Sequence, residues 1–191
     1  VNYDNMIQAF ITRYQHVKYG LGFIITSEMV EDDQYMNVAQ KRARGLAFSM
    51  RQTKETIAAN VYNRAFSTTY IGGDASSLVA SAGGGGSATH PNAAGGTWTN
   101  GPSAAVDLSE AALEQACIDI SKWTDDRGMK IAVLPTRLII PFDLSFEASR
   151  ILEGDWQPDS ANRNINVLNK RGLFSEVVAN HYLTDSDAWF L

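Results

Sequence analysis

SEMVEDDQYMNVAQKRARGLAFSMRQTKETIAANVYNRAF, residues 27–66, reads as one helix of about 36 residues, roughly 50 Å at the standard rise. No proline interrupts it, and apolar side chains return at three-to-four spacing at Met36, Ala39, Ala43, Leu46, Met50, Ile57 and Val61. Tyr35, Ala47, Ala58 and Tyr62 widen the stripe, which lapses near Thr53 and Lys54. This periodicity predicts a helix with one core-facing side. Ser27 is the expected N-cap, and Glu28, Glu31, Asp32 and Asp33 crowd the first turns, where acids favour the helix dipole. Gly45 costs about 1 kcal/mol relative to Ala in mid-helix, so a bend or close packing is expected there.

Upstream, Val17, Tyr19, Leu21, Phe23 and Ile25 alternate with His16, Lys18, Gly20, Gly22 and Ile24, which predicts a strand over 16–26. Residues 1–14 either gather Met6, Ile7, Phe10, Ile11 and Tyr14 on a helical face or lead into that strand. Downstream, residues 67–106 are rich in Gly, Ser, Ala, Thr and Asn and read mostly as loop, with Tyr70, Ile71, Leu78, Val79 and Trp98 as anchors. A helix begins after the cap Ser109, with Leu108 and Leu113 spaced as a hydrophobic staple and Ala116, Cys117, Ile120 and Trp123 continuing its apolar face. Two short strands, 131–134 and 138–140, are expected on either side of Pro135. A helix over 145–153 would take Asp143 as cap, turn Phe146, Ala148, Ile151 and Leu152 inward and stop at Gly154. A polar loop over 155–166, a strand over 176–183, a turn over 184–187 and the start of a returning strand at 188–191 complete the chain. The class is mixed α+β, in three parts: 1–66, a connector over 67–106, and an α+β region over 107–191 that is incomplete at its C-terminus.

The 191 residues are 45% hydrophobic, enough for a real core in one large or two small domains. A net charge of −5 argues against a dedicated nucleic-acid binder. The single cysteine, Cys117, excludes an intrachain disulfide and a cysteine zinc cluster. No apolar run reaches membrane-spanning length and no signal peptide is evident. The chain begins at Val1 and stops at Trp189, Phe190 and Leu191 within an apolar run, so a processed protein or part of a longer one is expected.

Candidate chemistry is thin. The run Gly83 to Gly86 followed by Ser87 lacks the lysine of a phosphate loop, and it neither follows a strand nor opens a helix. His90 could serve as ligand or base, with Asp74 and Asp107 as the nearest acids, but a metal needs three or four converging ligands. No serine sits in a GxSxG elbow, and Cys117 on an inward helix face makes a poor nucleophile. The acids at the start of the long helix lack the spacing of a calcium loop. Lys41, Arg42, Arg44, Arg51 and Lys54 form either a solvated face or a basic band facing a partner's acids or packaged nucleic acid.

Taken in order, IITSEMVEDDQY, NVYNRAF, ATHPNAAGGTWTN, VDLSEAALEQA, DDRG, AVLPTRLIIPFDLSFEASRIL and VVANHYLTDSDAWFL resemble a major capsid (head) protein of a tailed bacteriophage, of the Mu-like head subunit type, over about residues 16–191. The resemblance implies the tailed-phage head fold, with residues 27–66 as the spine helix of a peripheral domain and 107–191 within an axial domain. It implies a structural subunit, not an enzyme, that forms pentamers and hexamers of an icosahedral shell around the DNA genome. Met36, Leu46, Met50, Ile57 and Val61 would be spine residues packed on the subunit's own sheet, and Arg42, Arg44, Arg51, Gly84 and Thr97 subunit contacts. Implied partners are copies of the chain, with scaffold, portal or decoration proteins, and DNA only by proximity. No cofactor, metal or membrane is implied, and the place is the virion, assembled in the host cytoplasm. No crosslinking residue carries over. The rival readings are a hydrolase or nucleotide-binding enzyme using the glycine-rich loop and His90, and a minor virion protein.

Overall fold

A computed structural model describes residues 8–32, 35–157, 161 and 164–191. Asp33, Met6, Ile7 and part of the 155–166 loop lie outside these residues, as does the side chain of Tyr35. The chain forms two units: Arg13–Val61, and Tyr62–Leu191 with the described part of Val1–Thr12.

In the first unit the long helix is divided. Helix α1 spans Ser27–Glu31 and α2 spans Tyr35–Asn63. The cap lies one residue earlier than expected: Thr26, not Ser27, accepts from the Met29 amide at 3.4 Å. Asp32 closes α1 with a backbone outside the helical region, φ −81° and ψ 8°. Aspartate competes with the backbone for hydrogen bonds, and a run of like charges repels at i,i+3 and i,i+4, so the acids that favour a helix start also oppose its continuation. At the far end α2 stops at Asn63 rather than Phe66, where the Ala65 amide turns back to the Tyr62 carbonyl at 2.9 Å.

Within this unit the described apolar stripe is only partly covered. Met36, Ile57 and Val61 are exposed, Leu46 and Met50 are half-buried, and Ala59 is the one fully buried residue described in this unit. A stripe records what a helix can bury, not which partner covers it. The expected strand over 16–26 is absent among the described residues, since an alternating segment becomes a strand only when an edge supplies hydrogen bonds. Its tie to α2 is the Arg42 guanidinium donating to the Ile24 carbonyl at 2.6 Å. Nothing packs where a Cβ at Gly45 would stand, so close packing inside the chain does not explain that glycine.

The second unit is built on β3, Arg137–Pro141, paired in parallel with β4, Glu176–Asn180, from Arg137 opposite Glu176 to Pro141 opposite Asn180. On the other side of β3, Ile139 and Phe190 exchange two backbone hydrogen bonds at 2.8 and 2.9 Å, so the expected return at 188–191 is realised as a single bridge. Parallel pairing needs a crossover. It is supplied by a 3-10 turn at Phe142–Leu144, by α4, Ser145–Glu153, and by α5, Val167–Arg171. Helix α3, Glu110–Ser121, starts at its expected cap, Ser109 accepting from the Ala112 amide at 3.2 Å. Leu108, Leu113, Leu138, Ile140, Ala148, Ile151 and Leu168 form the core.

Four local expectations change. Residues 131–134 are exposed and form no strand, because the Ile131 amide is drawn to the Trp123 carbonyl and Pro135 has no amide with which to continue a ladder. The strand after residue 176 ends at Asn180, whose side chain accepts from the Tyr182 amide and starts a turn. Asp143 lies inside the 3-10 turn, so α4 begins without a side-chain cap. Phe146 faces outward and meets Phe142 edge-on at 6.4 Å.

Candidate functional site

The glycine-rich connector is a packed loop. The Ser77 hydroxyl donates to the Val79 carbonyl at 2.7 Å and accepts from the Ser87 amide at 2.8 Å. The Ser87 hydroxyl accepts from the Ser77 amide at 3.0 Å. A Cβ on Gly86 would stand 2.6 Å from that Ser77 hydroxyl and 2.8 Å from the Val79 carbonyl, so this glycine is needed for close approach rather than for a phosphate. Gly84 also packs within its own unit, against Ser81 and Phe66.

Strands β1, His90–Pro91, and β2, Thr97–Trp98, form a small antiparallel hairpin with His90 opposite Trp98. Asn92 closes its turn by accepting from the Gly96 amide at 2.8 Å. Within it the imidazole Nδ1 of His90 lies 2.6 Å from the Asp74 carboxylate, and the ring stacks on Trp98 at 4.5 Å. Burial raises the Asp74 pKa, but the hydrogen bond to His90, the Ser76 amide and the attraction of His90 outweigh it, so the carboxyl lies below its ordinary value. An ionised carboxylate only accepts, which places the proton on Nδ1. Nε2 is covered and has no hydrogen-bond partner. A base must reach its substrate, and this buried nitrogen offers no such approach.

No group of three or more His, Cys, Asp and Glu side chains among the described residues is placed to hold a metal. Burial raises the Cys117 pKa against a smaller lowering by Arg171, with Glu114 adding to the rise, which disfavours a thiolate. No described helix is long and apolar enough to cross a membrane.

The subunit-contact residues named from the sequence fall in different places. Arg42 holds Ile24, Arg44 and Arg51 are exposed on α2, Gly84 lies inside the connector, and Thr97 is exposed on β2. Sequence reasoning missed the anchor at the end of α2. The Asn63 amide donates to the Tyr182 carbonyl at 3.0 Å, and its oxygen accepts from the Thr184 amide at 3.0 Å. Tyr62 and Phe66 bracket Phe190 at 5.1 and 5.9 Å between ring centres. The only hint was an asparagine among aromatics in NVYNRAF.

A family model described as a phage capsid protein matches residues 10–191. The chain belongs to this phage capsid protein family. Neither a curated protein nor a solved structure matches it. The family upholds the resemblance read from the sequence at the level of a phage capsid protein, and the mixed helix and strand content fits it. A capsid protein self-associates into the shell, so the chain is a structural subunit of the virion.

Proposed function

We propose that this capsid protein is the major head subunit of a tailed phage of the Mu-like type, its copies forming the pentamers and hexamers of an icosahedral shell that encloses the packaged DNA. In this reading α2 is the spine helix of a peripheral domain, and residues 107–191 belong to an axial domain. Scaffold, portal and decoration proteins are the further partners, and assembly takes place in the host bacterial cytoplasm. The observation that carries the reading is the apolar surface left open by the isolated chain. Ile11, Tyr14, Val17, Leu21 and Ile24 are each at least 63% exposed, and the stripe of α2 is open beside them in sequence. Surface of this kind needs cover, and in a shell the neighbouring copies supply it. Negative-stain microscopy of the protein, expressed alone and with its neighbouring genes, tests the proposal. Closed shells or five- and six-membered rings are expected; a monomer under every condition would overturn it.

A further inference from the structure

We infer that the exposed face of α2 docks on the acidic face of α3 in a second copy of the chain, an inference that rests on the shell reading above.

Helix α2 carries Lys41, Arg42, Arg44, Arg51 and Lys54 against a single acid, Glu55, a net of +4, while the whole chain is −5, so everything outside α2 totals −9. Lys41, Arg44, Arg51 and Lys54 are exposed, and none has a carboxylate within ion-pairing distance among the described residues. Elsewhere Lys122, Arg137, Arg150 and Lys170 each hold an acid. At about 100° per residue, Arg44, Phe48, Arg51 and the single acid Glu55 share one side of the helix, with Lys41 at its edge and Lys54 about a quarter-turn round. Phe48 is 61% exposed.

That mixture distinguishes the two occupants a basic band could have. Phosphate backbones are contacted by cations, hydroxyls and amides, and gain nothing from an open Phe. A protein face buries both kinds of group, apolar at the centre and charged at the rim. Helix α3 offers the complement in Glu110 and Glu114, its third acid Asp119 being paired with Lys122 at the C-cap. Glu110, Glu114 and Ile118 lie at i, i+4 and i+8, hence on one side. Ile118 is 47% exposed, and neither glutamate has a cation in ion-pairing range among the described residues. On this side each helix thus presents one exposed apolar side chain beside charges that lack an ion-pair partner among the described residues, net positive on α2 and negative on α3.

The test is sedimentation velocity of the whole chain at low and high salt, with circular dichroism to check that each variant folds. R44E/R51E is expected to weaken self-association by roughly tenfold or more, since like charges then meet across the contact. R44K/R51K is expected to keep it, and mixing R44E/R51E with E110K/E114K, or with E114K alone, to restore it. Wild-type-like association of R44E/R51E would overturn the inference. So would loss without rescue, which removes α3 as the partner surface. A variant that assembles normally but no longer retains duplex DNA would assign the band to nucleic acid instead. A wild-type chain that never associates would sink the shell reading itself, a result distinct from failure of this one contact.

Discussion

Two side chains carry much of the order of loop and crossover. Asp74 ties the 72–76 turn to the β1–β2 hairpin through His90 and the Ser76 amide. The Asp74→Asn variant keeps the shape but loses the charge-assisted bond, and is expected to cost about 1–3 kcal/mol near neutral pH in urea unfolding. The sign with pH comes from the lowered carboxyl pKa. The ionised form is favoured by folding, so its stabilisation is complete above the unfolded value near 4 and fades as pH falls through the folded one. The gap between wild type and variant should therefore be flat above about pH 5 and close on further acidification; a gap that widens instead would contradict the pairing. Asn166 does a comparable job at the crossover. Wholly buried, it caps α5 by accepting from the Leu168 and Asn169 amides and donates its own amide to the Ile151 carbonyl of α4. Asn166→Ala removes the cap and orphans that carbonyl, an expected loss of about 2 kcal/mol, whereas Asn166→Ser keeps the acceptor and should lose less. Equal losses in thermal unfolding would mean that the cap contributes nothing and that the bond to Ile151 carries the whole effect.

Among the elements, α2 has its weakest intrinsic point at Gly45. Because a Cβ there meets open space, Gly45→Ala is expected to stabilise the isolated subunit by about 1 kcal/mol through propensity alone. Thermal unfolding checks this, and a destabilised variant would show that the position needs glycine for a backbone reason. The legibility of the elements depends on the origin of their signal. Helices α3 and α4 were readable because cap, stripe and stop are local: Ser109 with Leu108 and Leu113 in one case, Gly154 with Ala148 and Ile151 in the other. Helix α5 was not, because five residues are too few for a period to show, and its cap Asn166 lay in what read as polar loop. The strand over 16–26 failed for the opposite reason: its alternation is clear, but its partner is not in the described chain. Composition marked 67–106 as loop, yet which hydroxyl meets which amide, and that Asp74 rather than Asp107 reaches His90, depends on the loop's path in three dimensions.

At the scale of the whole molecule, surface is the informative quantity. Among the described residues, large apolar side chains such as Tyr14, Ile24, Phe48 and Phe146 stand exposed. A core of seven buried apolar residues in the second unit, with Ala59 the one fully buried residue described in the first, is a slender basis for an independent monomer. Membership of a capsid family supplies the missing term, because contacts made only in the folded, assembled state stabilise it by mass action. Association a hundredfold above its dissociation constant adds about 2.7 kcal/mol. The melting temperature is therefore expected to rise with protein concentration, and salt at about 0.5 M, which screens the α2 charges, should reduce that rise. Scanning calorimetry over a hundredfold range of concentration measures both. A melting temperature independent of concentration would mean that the exposed apolar face makes no stabilising contact with other copies. Dependence on concentration without dependence on salt would assign the contact to the apolar stripe alone, leaving Arg44 and Arg51 outside it.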